Sequence, residues 1–156
     1  MKVFPASPRR LLLSAGIAAV AALAGCSVLQ PPDPNAHLAT FTTRLAGTNE
    51  VPPNGSTGTG TVDAVLDKNT LLLRWKMSYS NLSGPPTMAH FHGPAAIGAN
   101  AGPVITFRVP ITAAYDGRAT LTPAQAADLL AGKWYANVHT ANFPGGELRG
   151  QMIERK

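Results

Sequence analysis

From Leu38 onward, β-forming residues come in short runs, and Gly, Pro, Asn or Asp cuts each run before it is long enough for more than one strand. The runs are Leu38–Leu45, Gly58–Leu66, Leu71–Ser80, Met88–His92, Val104–Val109, Gly117–Leu121, Trp134–Thr140 and Glu147–Ile153. About eight strands at this spacing predict an all-β domain, an antiparallel Greek-key-like sandwich or barrel. In the third run Leu71, Leu73, Trp75, Met77 and Tyr79 alternate with Arg74, Lys76, Ser78 and Ser80, the pattern of a half-buried strand. Asp67-Lys68-Asn69 reads as the tight hairpin connection before it, and the Gly/Thr run Gly55–Thr61 as a flexible loop entering a strand. One short helix is expected over Pro123–Ala131. Thr122 can cap it, Pro123 suits its first position, Gln125 completes a capping box, and Gly132 can end it. Such a helix would cover one edge or end of the sandwich.

The N-terminus has a different layout. Lys2, Arg9 and Arg10 precede an apolar run from Leu11 to Ala24, too short for a bilayer span of about 20 residues. The run ends in Leu23-Ala24-Gly25-Cys26, which resembles the lipobox of bacterial lipoproteins, where the cysteine thiol is acylated and becomes the new N-terminus. Residues 1–25 are therefore expected to be a cleaved signal peptide. Ser7-Pro8-Arg9-Arg10-Leu11-Leu12 matches a twin-arginine signal only in part, which leaves the export route open. Residues 26–37 would be a lipidated Cys26 and an extended tether stiffened by Pro31, Pro32 and Pro34, with residues 38–156 the folded domain. His37, at the end of the tether, reads as solvated. Ser27 resembles the residue that permits outer-membrane sorting, so the expected location is the periplasmic side of the outer membrane. The membrane is the expected partner, through the lipid.

Loss of the leader takes the net charge from +5 to +2, and the remaining charges are scattered, which gives nucleic-acid binding no support. Assigning the single cysteine to lipid leaves no thiol in the folded part, so a disulfide or a thiolate ligand is excluded there. Nothing in the chain reads as a Gly-x-Ser-x-Gly elbow, a phosphate loop or a His-Glu-x-x-His helix.

Histidine carries what chemistry remains. His90-Phe91-His92 falls in an expected strand, where residues two apart share a face, so both imidazoles project to one side. In Trp134-Tyr135-Ala136-Asn137-Val138-His139 the residues Tyr135, Asn137 and His139 share the polar face. If the two strands meet, His90, His92 and His139 make a three-nitrogen site suited to copper, or alternatively to zinc, and ring nitrogens within about 3 to 4 Å of each other are the geometry to look for. Tyr135, Asn137 and Met88 would surround it. Met88 points the same way as the histidine pair, where its thioether suits copper(I), although core packing also accounts for a methionine. Glu147 and Arg149 are expected to form a cross-strand ion pair, and Gly145-Gly146 to supply positive φ in a turn.

Several ordered motifs resemble the CHRD domain, named after the repeats of chordin and also found in bacterial exported proteins. They are Leu45–Pro53 (Leu-Ala-Gly-Thr-Asn-Glu-Val-Pro-Pro), Ala89–Ala95 (Ala-His-Phe-His-Gly-Pro-Ala), Tyr135–Thr140 and Pro144–Gln151. The resemblance spans residues 38–153 and implies a β-rich domain. In chordin-like animal proteins these domains belong to extracellular regulators of growth-factor signalling. More weakly, His90-x-His92 with a later His139 is similar to part of the copper site of copper/zinc superoxide dismutases. The zinc and bridging ligands of that family have no counterpart in the segment 93–103, which contains neither His nor Asp.

Three functions stay open at the level of sequence. The leading one is a metal-binding module that buffers, delivers or senses copper. The others are a structural or protein- or glycan-binding module without metal, and a mononuclear copper redox enzyme. The protein partner is unknown, and an enzyme is the less favoured class.

Overall fold

The computed structural model describes Lys2, Pro31 and residues 33–156. The expected leader, the lipidated Cys26, Ser27 and the start of the tether lie outside the described residues. Among those described, no helix is long and apolar enough to cross a membrane.

Among the described residues eight strands form: β1 (Leu38–Ala46), β2 (Thr59–Asp67), β3 (Leu72–Ser80), β4 (Pro86–His92), β5 (Pro103–Thr106), β6 (Ala114–Thr120), β7 (Trp134–Thr140) and β8 (Leu148–Arg155). An α-helix, α1 (Pro123–Leu130), separates β6 from β7. The strands make one antiparallel sheet in the order β5-β4-β7-β8-β1-β2-β3-β6. β1, β2 and β3 follow one another as hairpins, whereas the β3 to β4 and β6 to β7 connections join strands that are not neighbours, so the all-β, Greek-key-like expectation holds. The edge strands β5 and β6 nearly close the sheet. Phe107, just after β5, stacks on Tyr115 of β6 with ring centroids 5.2 Å apart, and the Arg108 N–H donates to the Tyr115 hydroxyl at 2.9 Å.

The β3 alternation is realised as read: Leu73, Trp75 and Met77 are buried and Arg74, Lys76 and Ser78 exposed. Inside the sheet Phe91 sits edge-on to Trp75 at 5.1 Å and to Phe107 at 5.0 Å, at the centre of the apolar core. The helix matches its sequence signals. Thr122 accepts from the Gln125 N–H, Gln125 returns the bond to the Thr122 N–H, and Gly132 follows at φ 68. Its Ala126 and Leu129 are core residues, and the Gln151 side chain of β8 donates to Gly132 O at 2.7 Å, fixing the helix end to the sheet.

Boundaries shift where turn chemistry was hidden. Leu71 is not in a strand; at φ 58 it closes the hairpin, and the Asp67 carboxylate accepts from the Asn69 and Thr70 N–H groups. The sixth strand begins at Ala114 rather than Gly117, because Tyr115 and Asp116 pair with Met77 and Lys76. The fifth ends at Thr106 and the fourth starts at Pro86. The end of the expected extended tether, residues 34–37, instead turns: the Asp33 carboxylate accepts from Asn35 N–H at 2.8 Å and Asp33 O from Ala36 N–H at 3.1 Å.

Candidate metal centre

Strands β4 and β7 lie side by side, and their register makes three cross-strand pairs on one face: His92 with Tyr135, His90 with Asn137, and Met88 with His139. The opposite face carries Ala89, Phe91, Ala136 and Val138 into the core. Strict alternation thus puts every chemically distinctive residue of both strands on the outer side of the sheet. That side is not left to solvent. His90, His92 and His139 are 8 %, 9 % and 6 % exposed, because the connections after β1, after β4 and before β8 fold over them.

One ring nitrogen from each histidine can be chosen so that all three lie within 4.8 Å of one another, and His90 Nδ1 is 3.1 Å from His139 Nε2. Two nitrogens bound to one ion at about 2.0–2.1 Å, at roughly tetrahedral angles, lie about 3.3 Å apart, so this spacing is that of co-ligands. The far nitrogens are fixed by backbone. His92 Nδ1–H donates to Ala101 O at 2.9 Å and His139 Nδ1–H to Pro144 O at 2.9 Å, which leaves both Nε2 atoms as bare lone pairs. In the metal-free state His90 Nδ1–H must then be the donor to His139 Nε2. His92 Nε2 is buried and has no hydrogen-bond partner at all. An unpaired buried acceptor costs about 1–3 kcal/mol, and a cation is the partner that removes this cost.

The electrostatics favour ligands over acids. Burial, reinforced by the neighbouring His139 and His92, pushes His90 down to about 4 against the opposing pull of the Asn137 carboxamide. Burial also lowers His139, partly offset by its bond to Pro144. Both rings are therefore neutral at neutral pH, the state in which imidazole binds metal.

The surroundings hold the three rings still. Tyr135 stacks on His92 at 4.7 Å with the rings 2° from parallel, and the Arg149 guanidinium caps its other face 3.5 Å from the centroid. Its hydroxyl meets the Ala101 backbone at 3.2 Å. Asn137 donates to Glu50 Oε1 at 3.3 Å, while its own Oδ1 is buried without a partner beside His90. Binding a metal at His90 Nδ1 would shift that ring's proton to Nε2, and the Asn137 carbonyl oxygen is an acceptor in need of one. Met88 is 45 % exposed, so core packing does not explain it.

Two expectations need correction, and one residue was missed. Glu147 and Arg149 do not pair. Glu147 precedes β8 and is fully buried, where its carboxylate accepts from the hydroxyls of Ser56, Ser83 and Thr140 and from the Ser83 N–H. Those bonds outweigh burial and hold its pKa below the ordinary carboxylate value. Arg149 instead donates to Asn100 Oδ1 at 2.7 Å and to Ala99 O. Of the Gly145-Gly146 pair only Gly146 has positive φ, at 135, and a side chain there would strike Asn137 and Glu50. Glu50 is the missed residue. It is 7 % exposed, and burial raises its pKa despite Asn137 and Arg149 nearby. The only signal for it was the Leu45–Pro53 motif, whose Asn49 side chain donates to Arg149 O at 3.1 Å and so ties the loop to β8.

Compared with known proteins, the chain matches the family model of the CHRD domain over residues 41–152. No curated protein and no solved structure matches it.

Proposed function

The chain belongs to the CHRD domain family, and from that premise we propose that it is an exported, lipid-anchored member that binds copper, or alternatively zinc, through His90, His92 and His139. One observation carries the reading: His92 Nε2 is buried without a partner in a group of three histidines that each offer a ring nitrogen within 4.8 Å of the others. A purely structural polar cluster accounts for His90 and His139, which hydrogen-bond each other, but leaves His92 Nε2 and Asn137 Oδ1 unpaired. Neutral nitrogen donors and the Irving–Williams order favour copper, and the exposed Met88 thioether opposite His139 adds support for copper(I). The role is to buffer, deliver or sense the metal rather than to turn it over. Tyr135, the residue a redox reading would use, is held by the Ala101 backbone and covered by Arg149.

Titration with copper(II) and zinc, read by calorimetry and by spin resonance for copper, tests the site. Wild type is expected to bind one ion and to gain about 2.7 kcal/mol of stability at a hundredfold excess over Kd. His90→Ala/His92→Ala should lose both responses. Equal behaviour of the two proteins, or no binding by wild type, would end the metal reading. The anchor rests on the leader and on the lipobox resemblance ending at Cys26, with Ser27 pointing to the periplasmic side of the outer membrane. A processed Cys26→Ala protein should leave the membrane fraction; one that stays there refutes the lipid.

A further inference from the structure

The outer face of β1, β2, β3 and β6, on strands that contribute no histidine to the metal centre, carries a charge arrangement that folding does not require. Read across the register, Arg155 pairs with Thr40, Thr40 with Val65, Val65 with Arg74 and Arg74 with Arg118. Five strands thus contribute one row with three arginines, all exposed, and no acid. At about 4.8 Å per strand the row is about 19 Å long. Arg74 and Arg118 stand directly opposite one another, a like-charge pairing that destabilises a sheet.

The neighbouring row, with Asp63, Lys76 and Asp116, offsets it only in part, since five cationic side chains and two carboxylates line this face. Asp63 accepts from the Thr42 hydroxyl, and Asp116 pairs with Lys76 at 3.6 Å. Among the described residues, no carboxylate lies within ion-pair distance of Arg74, Arg118 or Arg155. The same face lines a depression of about 1000 Å³ that continues to Thr106 and Arg108 beyond the β5–β6 gap. Between and beside the arginines the surface carries hydroxyls: Thr40 lies within the row and Thr42 in the next one, and both line the depression.

We propose that this arginine row binds a linear acidic polysaccharide, with Arg74 and Arg118 forming a fork for one carboxylate and Arg155 engaging another farther along the polymer. Paired guanidinium groups match carboxylate geometry, and hydroxyl-bearing strands match the hydroxyls of sugar rings. A membrane surface fits less well. The face offers Val65, 37 % exposed, and Ile153, 47 % exposed, but no aromatic wedge for insertion. Single-stranded nucleic acid would need exposed aromatic rings for stacking, whereas Trp75 points into the core and Tyr115 is stacked on Phe107.

The test is calorimetric binding of the full chain to polygalacturonate, with neutral dextran and phosphatidylglycerol vesicles as parallel arms and a chelator present throughout. Wild type should bind polygalacturonate and not dextran, with affinity falling as salt rises. Arg74→Ser/Arg118→Ser should weaken binding by about tenfold or more. Its melting temperature should equal or exceed that of wild type, because a repulsive pair has been removed. Equal affinity of variant and wild type, equal binding of dextran, or binding to the vesicles but not the polysaccharide would each overturn the proposal.

Discussion

The two halves of the sheet use the same alternation to opposite ends. In β2 and β3 the polar face looks into water, where Thr59 with Ser80 and Thr61 with Ser78 make exposed hydroxyl pairs that solvent could replace. In β7 all seven residues are buried, so its polar face is covered as completely as its apolar one. Polar groups that cannot reach water must find partners inside the protein, and the demand spreads to every loop that covers them. Ala101, Pro144, Glu50 and Asn100 are all drawn in to satisfy the outer face of β4, β7 and β8. An outward-facing side chain is thus a surface decoration in one half and a structural commitment in the other.

The sharpest way to break this contrast is Glu147→Ala. It removes the fully buried acceptor of three hydroxyls and a backbone N–H, the buried Thr140 hydroxyl among them, and should cost about 4 kcal/mol in urea unfolding. A loss under 1 kcal/mol would show that the covering loops relax freely.

A change of pH should act on the histidine half alone and come next in size. His90 holds its proton less well when folded, at about 4, than at its ordinary value of 6.5. Between those values the unfolded chain binds more protons, so stability falls as pH falls. Metal-free protein should lose about 2 kcal/mol between pH 7 and pH 5, with His139 acting in the same direction. Glu147, whose pKa is lowered from 4.5, adds its own loss only below that range. Unfolding midpoints at pH 7, 6 and 5 measure the slope, and His90→Asn should flatten it; an unchanged slope in that variant would assign it elsewhere. Smallest of all, Thr61→Ala on the exposed half should cost about 0.5 kcal/mol by the same assay.

What could be read from the sequence follows the same division. The β3 alternation and the Thr122–Gln125 capping box are local signals, and both are realised. So is the sharing of one face by His90 and His92, which needs only the two-residue period of a strand. The meeting of those two with His139 depends on β4 pairing β7 across two intervening strands and a helix, which no local pattern encodes. Glu147 misled because two-residue spacing from Arg149 suggests a shared face only inside a strand, and β8 starts one residue later. Glu50 lies 87 residues from Asn137 in sequence and left no periodic trace.

The incomplete closure between β5 and β6 bears on what the sheet offers to a strand of another chain. A sheet that stops one step short of a full circle keeps two borders, and exposed strand borders invite pairing with another chain. Here both are blunted. β5 is only four residues long and opens on Pro103, which has no N–H to offer an incoming strand. β6 carries Asp116 and Arg118, and the Tyr115 ring and hydroxyl close the gap in place of a hydrogen-bonded ladder. Tyr115 thus fastens the two borders to each other, side chain to backbone, and occupies the place where an incoming strand would have to pair.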